Sequence, residues 1–294
     1  MKKGVIIVLY HPDLETLSKS LDTLSPQVDL ICLIDNTSLS CAEAFSGKDK
    51  VHYIPLCKNT GIAFAQNRGI DFLRQQGCHY VLFCDQDSVS PSNLVTGLIA
   101  TFEALSQAGF PVAVVGPDPI EPRNGKTCYS TSSIYITPST IIVDGIPHHI
   151  HEMHSIISSY SLTTMDILDQ VGPMEEALFI DGVDNEWSWR ARHRCGLRSY
   201  LDHNLRIHHV MGTETSLPLR KSAPRRLYYQ YRNFIILSHR SYTPSYWTRH
   251  CLWTYILKFF FYPLFMSPRV ENFRNIIRGI RDGFRLRGKL TPLI

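Results

Sequence analysis

Residues 80 to 88 read Tyr80-Val81-Leu82-Phe83-Cys84-Asp85-Gln86-Asp87-Ser88, five apolar residues running straight into two carboxylates. An apolar run of this length without polar alternation is the pattern of a strand buried on both faces of a parallel sheet. Working outward, similar runs recur at Val5 to Tyr10, Leu30 to Ile34, Val51 to Leu56 and Val112 to Val115. Between them lie amphipathic stretches, Leu14-Leu17-Leu21-Leu24, Ile62 to Leu73 and Leu94-Leu98-Phe102-Leu105. The alternation predicts an α/β fold, a right-handed doubly wound sheet with helices on both faces.

After Pro117 the pattern loosens. Strands are expected at Ile134 to Ile136 and Ile141 to Val143 around Pro138-Ser139, then at Ile156 to Leu162, built out from the parallel core. Helices are expected from Thr164 to Val171 and from Val183 to His193, and beyond Gly212 the chain is basic, helical and aromatic. A chain of 294 residues, 44% hydrophobic and 19% charged, buries most of its surface without staples, which excludes disordered, collagen-like and coiled-coil classes. Its eight cysteines include no CxxC pair, which fits a reducing compartment. Met1-Lys2-Lys3 and the apolar run after it resemble a signal peptide only faintly, because His11-Pro12-Asp13 ends the run, and the segment reads as a first strand.

The formal charge of +4 conceals an asymmetry: residues 1 to 189 carry 10 Lys and Arg against 22 Asp and Glu, or −12, and residues 190 to 294 carry 20 against 4, or +16. An acidic front suits a metal or polar-substrate site, and a basic back suits an anionic partner, lipid or nucleic acid. Leu252 to Met266 is interrupted by Lys258 and Pro263 and is too short for a bilayer span. From 273 to 284, Phe273, Ile276, Ile277, Ile280 and Phe284 interleave with arginines at 274, 278 and 281. That stripe suits either a membrane-interface helix or one packed on the catalytic domain or a second subunit.

Three constellations carry the chemistry. Asp85 and Asp87, at i and i+2 beyond a strand end, can converge where open α/β sheets bind ligands, and their hard oxygens suit Mg²⁺ or Mn²⁺ on a diphosphate; the alternative is a solvated turn that caps the next helix. Asn59-Thr60-Gly61 opening a helix through Asn67-Arg68-Gly69 places a glycine turn where a phosphate or nucleotide can sit, or is an ordinary turn and helix. Asp181-Gly182-Val183-Asp184-Asn185-Glu186-Trp187 holds three acids beside aromatic bulk, a setting for a general base or merely for acids at a helix start. Histidines at 148, 149, 151 and 154 have spacings that can hold zinc, though no cysteine joins them.

The order of these motifs resembles the GT-A fold inverting glycosyltransferases of family 2 type, in particular bacterial rhamnosyltransferases of O-antigen assembly. The resemblance runs from residue 4 to about 235 and includes Ile34-Asp35-Asn36, Val171-Gly172-Pro173, His209-Val210-Met211-Gly212 and Tyr228-Tyr229-Gln230-Tyr231-Arg232-Asn233. It implies that Asp35 recognises the base of a nucleotide sugar, that Asn59 and Asn67 lie near the nucleotide, and that Asp87 and Asp85 hold Mg²⁺ or Mn²⁺ on the diphosphate, with His209 completing the metal shell or touching the diphosphate. Asp184 would be the catalytic base with Asp181 as runner-up, Glu186 and Trp187 would shape the acceptor pocket, and Arg232 would face the leaving phosphate. The implied donor is dTDP-L-rhamnose or another nucleotide sugar such as a UDP-sugar, and the acceptor a lipid-linked saccharide at the inner face of a bacterial cell membrane. Residues 1–235 would form the catalytic domain, with a nucleotide-sugar half to about 117 and an acceptor half from 118. Residues 236–294 would be a helical membrane-associating region, with a homodimer left open and no nucleic acid bound. Where many relatives carry a small Ser-Gly pair before the helix at Thr164, this chain has Ser158-Ser159-Tyr160-Ser161, with a bulky Tyr160.

Overall fold

The computed structural model describes residues 1–45, 47–121, 125–129, 134–208 and 222–288. The expected buried runs become β1 (Lys3–Leu9), β2 (Leu30–Asp35), β3 (Val51–Pro55), β4 (Tyr80–Cys84) and β5 (Val112–Ile120). The amphipathic stretches become α1 (Leu14–Leu24), α2 (Ile62–Gln75) and α3 (Leu94–Gln107). Later elements are β6 (Tyr135–Val143), β7 (Ile146–Met153), β8 (Ser161–Thr164), α4 (Met165–Val171), α5 (Val183–Cys195), β9 (Arg198–His208), α6 (Pro224–Ser238), α7 (Ser245–Phe265) and α8 (Arg269–Leu286). The nine strands form one sheet in the order β3-β2-β1-β4-β8-β5-β9-β7-β6. Two apolar clusters cover it, one around Leu17, Leu98 and Leu105, the other around Leu73, Leu168 and Trp187.

The sheet departs from the expected pattern in its middle. Strand β8 is antiparallel to both β4 and β5 and lies between them, so it joins the parallel core instead of extending it. It spans four residues, not the run from Ile156, because Tyr160 just before it adopts φ +55° and breaks the extended backbone. The expected break at Pro138-Ser139 is absent: β6 runs through it and pairs with β7 in a hairpin whose turn, Asp144-Gly145, has φ of +50° and +80°. Pro138 is tolerated because β6 is the outer edge of the sheet, where a missing N–H costs no ladder bond.

The histidines at 148 and 151 lie on β7 and pair with β9: His148 Nδ1 is 2.6 Å from Asp202, and His151 Nδ1 is 2.8 Å from His203 Nε2. Among the described residues no group of three or more His, Cys, Asp and Glu is arranged to hold a metal.

Helix α8 lies on α6 so closely that a Cβ added at Gly279 would stand 2.5 Å from the Tyr228 carbonyl oxygen. The stripe expected on α8 therefore divides: Ile276 is fully buried against α6, while Phe273, Ile277 and Phe284 are 44%, 41% and 52% exposed. Residue 235, where the sequence places the end of the catalytic domain, falls inside α6. No helix among the described residues is long and apolar enough to cross a membrane.

Candidate active site

The carboxyl ends of the parallel strands β1, β2 and β4 lie side by side, and the loops there are laced together by side chains. Gln86 bonds both the N–H and the carbonyl of Tyr10, at 2.7 and 3.1 Å, fixing the Asp85 turn against the end of β1. Asn36 accepts from the Thr60 N–H and hydroxyl and donates to the Gly61 carbonyl, so it sets the turn that opens α2. That turn needs glycine: Gly61 sits at φ +88°, and a Cβ there would lie 2.6 Å from the Phe179 carbonyl oxygen.

Asp184, in the first turn of α5, is the best-placed base. It is half-buried, and its Oδ1 accepts a 2.6 Å hydrogen bond from the Ser158 hydroxyl. Burial pushes its pKa up to about 6; the Ser158 hydrogen bond opposes that rise, and the nearby Asp85 and Asp181 charges add to it. A carboxylate tuned to that range takes a proton near neutrality. Beside it lies a small cavity lined by Asp184, Ser158, Ser161, Thr163, Met174 and Trp187. Asp85 is partly buried and Asp87 is exposed in the turn beyond β4. Two hard carboxylates at a strand end suit a divalent cation that takes its remaining ligands from a diphosphate and water. His209, the third expected ligand, lies outside the described residues.

Several expected site residues have structural partners instead. Asp35 is fully buried. Burial alone would raise its pKa, but hydrogen bonds from Thr37 and Tyr53 outweigh that and hold it below the usual value. A nucleotide base would reach Asp35 only if this network opened. Asn59 is exposed, and its Oδ1 accepts from the Gly61 N–H at 3.0 Å. Asn67 is buried and staples α2 to the following layer, accepting from the Met174 N–H and donating to the Met174 carbonyl and to Glu176.

Glu186 faces away from the cavity. It is fully buried, gripped at both oxygens by Arg190 at 2.8 and 2.9 Å, and accepts from the Tyr242 hydroxyl at 2.8 Å. Arg190 also donates to the Val171 and Pro173 carbonyls, and Trp187 Nε1 donates to Gly172, which accounts for the Val171-Gly172-Pro173 motif as a docking strip for α5. Asp181 is paired bidentately with Arg226, which neutralises the runner-up base.

Arg232 is turned into the protein. Its Nη2 donates to the Ala177 and Leu178 carbonyls, and the adjacent Asn233 donates to the carbonyls of Leu178, Ile180 and Asp181. These bonds clamp a loop in which Phe179, Asp181 and Gly182 have φ of +65°, +62° and +94°. Such backbone persists only where its surroundings hold it, and here it positions Asp184 in the first turn of α5. Neither Ser158 nor Asn233 was picked out from the sequence as a functional residue; the one trace of Asn233 is its place at the end of the Tyr-Arg-Asn motif.

The bulky Tyr160 of the Ser158-Ser159-Tyr160-Ser161 stretch has a geometric meaning. Tyr160 occupies the left-handed backbone that favours glycine, with its side chain fully buried and its hydroxyl donating 2.7 Å to the Ser88 carbonyl. The bulky residue thus ties down the end of the Asp85 turn.

The Glycosyl transferase family 2 model matches residues 5–160, just over half of the chain. The chain is 27% identical over 254 residues to the dTDP-rhamnosyl transferase RfbF of Shigella flexneri, covering 81% of this chain and 80% of that protein. Among solved structures, S. aureus TarS 1-349 in complex with UDP-GlcNAc superposes with a TM-score of 0.57 at 12% identity, over 97% of this chain and 81% of that one. GalNAc-T7 with UDP, GalNAc and Mn²⁺ superposes with a TM-score of 0.54 at 13% identity over 85% of this chain, which spans 53% of that structure's length. The chain belongs to glycosyl transferase family 2, with the GT-A fold and inverting sugar transfer as its activity.

Proposed function

We propose that this enzyme transfers L-rhamnose from dTDP-L-rhamnose to a lipid-linked saccharide at the inner face of a bacterial membrane, in O-antigen synthesis. The choice of sugar follows the named relative. The observation that carries the chemistry is Asp184, a carboxylate with its pKa raised to about 6, oriented by Ser158 and close to Asp85. The acceptor hydroxyl gives its proton to Asp184 as its oxygen bonds to the anomeric carbon from the face opposite the donor phosphate. The anomeric carbon–oxygen bond to the diphosphate breaks in the same step, and the electron pair leaves with the nucleoside diphosphate. Asp85 and Asp87 would hold a divalent cation, Mg²⁺ or Mn²⁺, which when bound neutralises the charge on that diphosphate. The loop clamped by Asn233 orients the base.

Contact with the membrane is assigned to the outer face of α7, where Trp253, Leu257, Phe260 and Leu264 are 68%, 60%, 62% and 58% exposed. Their spacing of four, three and four puts them on one stripe, and so large an exposed apolar surface marks an interaction site.

Thermal shift with dTDP-rhamnose and UDP-sugars, with and without Mn²⁺, tests the donor, because a ligand that binds only the folded protein raises its melting point. A shift with dTDP-rhamnose that needs the cation is expected. A larger shift with a UDP-sugar would reassign the donor, and full activity in excess EDTA would remove the cation.

A further inference from the structure

Asp184 senses two other carboxylates, Asp85 at the end of β4 and Asp181 in the loop before α5. The first leads to the donor's diphosphate. The second leads away from it, onto α6 and α7, where two cations wait that the transfer step does not use.

Arg226, in the first turn of α6, engages Asp181 through Nε and Nη2, leaving Nη1 without a partner among the described residues on a side chain 54% exposed. One turn further along α6, Gln230 accepts a 3.1 Å hydrogen bond from Lys258 Nζ of α7, and Lys258 stands 5.6 Å from the Tyr255 ring centroid. Lys258 is half-buried, and among the described residues no carboxylate comes within ion-pair distance. Burial holds its ammonium below the ordinary lysine value, while Asp181 pulls it back up and Arg226 pushes it down. Counting Asp181 as −1 and Arg226 and Lys258 as +1 each leaves an excess of +1 in a partly desolvated place, the condition under which an added anion binds best. Lys258 also follows Leu257 directly, so this charge sits on the flank of the exposed apolar stripe of α7.

We infer that Lys258 and Arg226 form a binding site for a phosphate or diphosphate ester carried by the acceptor, holding it where α7 meets a lipid surface while its sugar hydroxyl reaches Asp184. The inference rests on the sugar-transfer reading of the site. It adds to that reading a charge requirement on the acceptor: a phosphorylated lipid saccharide is preferred over the same saccharide on an uncharged chain.

The test uses the full chain without donor. An alkyl diphosphate and an alkyl glycoside of equal chain length are titrated calorimetrically, below their micelle concentrations, against the wild type, Lys258→Met and Lys258→Arg. Met keeps the packing of the lysine stem and removes its charge. The wild type is expected to bind the diphosphate at least ten-fold more tightly than the glycoside, about what one charge-assisted hydrogen bond supplies. Lys258→Met should lose most of that preference and Lys258→Arg should restore it. Equal binding of the two probes by the wild type, or a preference that survives Lys258→Met, overturns the inference. Flotation on anionic phospholipid vesicles should be unchanged in Lys258→Met; a loss as large as that for the soluble diphosphate would mean that the site reads lipid headgroups in general, and would also overturn it. If the wild type transferred no sugar from any donor, the reaction assigned above would fall, and these titrations would still decide the anion site.

Discussion

Ser158 and Asp184, 26 residues apart in the chain, share a 2.6 Å hydrogen bond whose direction is set by a third residue. Gln66 donates to the same hydroxyl at 3.2 Å, so Ser158 must turn its own proton toward Asp184. Oδ1 is thereby occupied, and the Ser158 backbone N–H also donates to the carboxylate, so one residue orients Asp184 through two bonds. This arrangement makes Asp184 a directional base.

Asp184→Asn is expected to lower turnover by ~10² to 10⁴ with donor binding preserved, because the amide keeps the shape but cannot accept the proton. The same substitution should stabilise the fold at alkaline pH. A raised carboxyl contributes its stability below the unfolded value near 3.8 and loses it as pH rises through about 6, so above pH 6 the wild type carries a buried charge that the variant lacks. The gain is at most about 3 kcal/mol, from a shift of roughly two pKa units. Thermal melts at pH 8 and pH 4 check it: the variant should melt higher only at pH 8.

Initial rates should fall on acidification with an inflection near pH 6, as Asp184 takes up its proton. Ser158→Ala removes the hydrogen bond that favours the carboxylate, and so moves that inflection to higher pH. An unmoved acid limb in Ser158→Ala would assign the titration to another group.

Tyr160→Phe deletes only the hydroxyl bonded to the Ser88 carbonyl. The expected cost is about 1 kcal/mol of stability, read by denaturant titration, together with weaker cation-dependent donor binding as the Asp85 turn loosens.

Much of this molecule could be read from its residues. Strands β1, β2 and β4 were legible because they are largely buried on both faces and so are almost wholly apolar, whereas β3 is an edge strand without a buried residue and was legible only from its short apolar run. The carboxylates Asp85 and Asp184 announced themselves by standing beside a strand end and a tryptophan. Strand β8 was only partly legible: the expected run from Ile156 to Leu162 overlaps its first two residues, but its place is set by partners 80 residues away. Glu186 could not be told from Asp184 by sequence, because its neutralising partners Arg190 and Tyr242 become neighbours only on folding. The clamp was hidden for the same reason: Asn233 acts on backbone carbonyls more than 50 residues upstream.

Asn233→Ala removes an amide whose two N–H groups are shared among three carbonyls of that loop. Turnover should drop more than ten-fold although the side chain reaches no substrate, and stability should fall by ~2 kcal/mol. Asn233→Asp should fare no better, since a carboxylate would face three carbonyl oxygens. A normal turnover number in either variant would show that the loop holds its shape without the clamp.

Exchange of Trp253, Leu257 and Phe260 for glutamine should abolish flotation with anionic liposomes while leaving the melting point within about a degree, because these side chains are mostly exposed. Truncation of α8 is the poorer experiment, since it would strip Ile276 and Gly279 from α6.

The antiparallel insertion of β8 also has consequences for how the chain comes to be folded. While the ribosome is making residues 1 to 120, β4 has no partner for its second edge, and β5 cannot fill the gap because the intervening place belongs to residues 161–164. Until those four residues emerge, the nascent front half presents an apolar strand with an open ladder, the kind of edge on which chains aggregate. The sheet closes only when a segment made some 80 residues later is threaded into its centre. That segment directly follows Tyr160, whose hydroxyl then ties Ser88, so the Asp85 turn becomes fastened only once the sheet is complete.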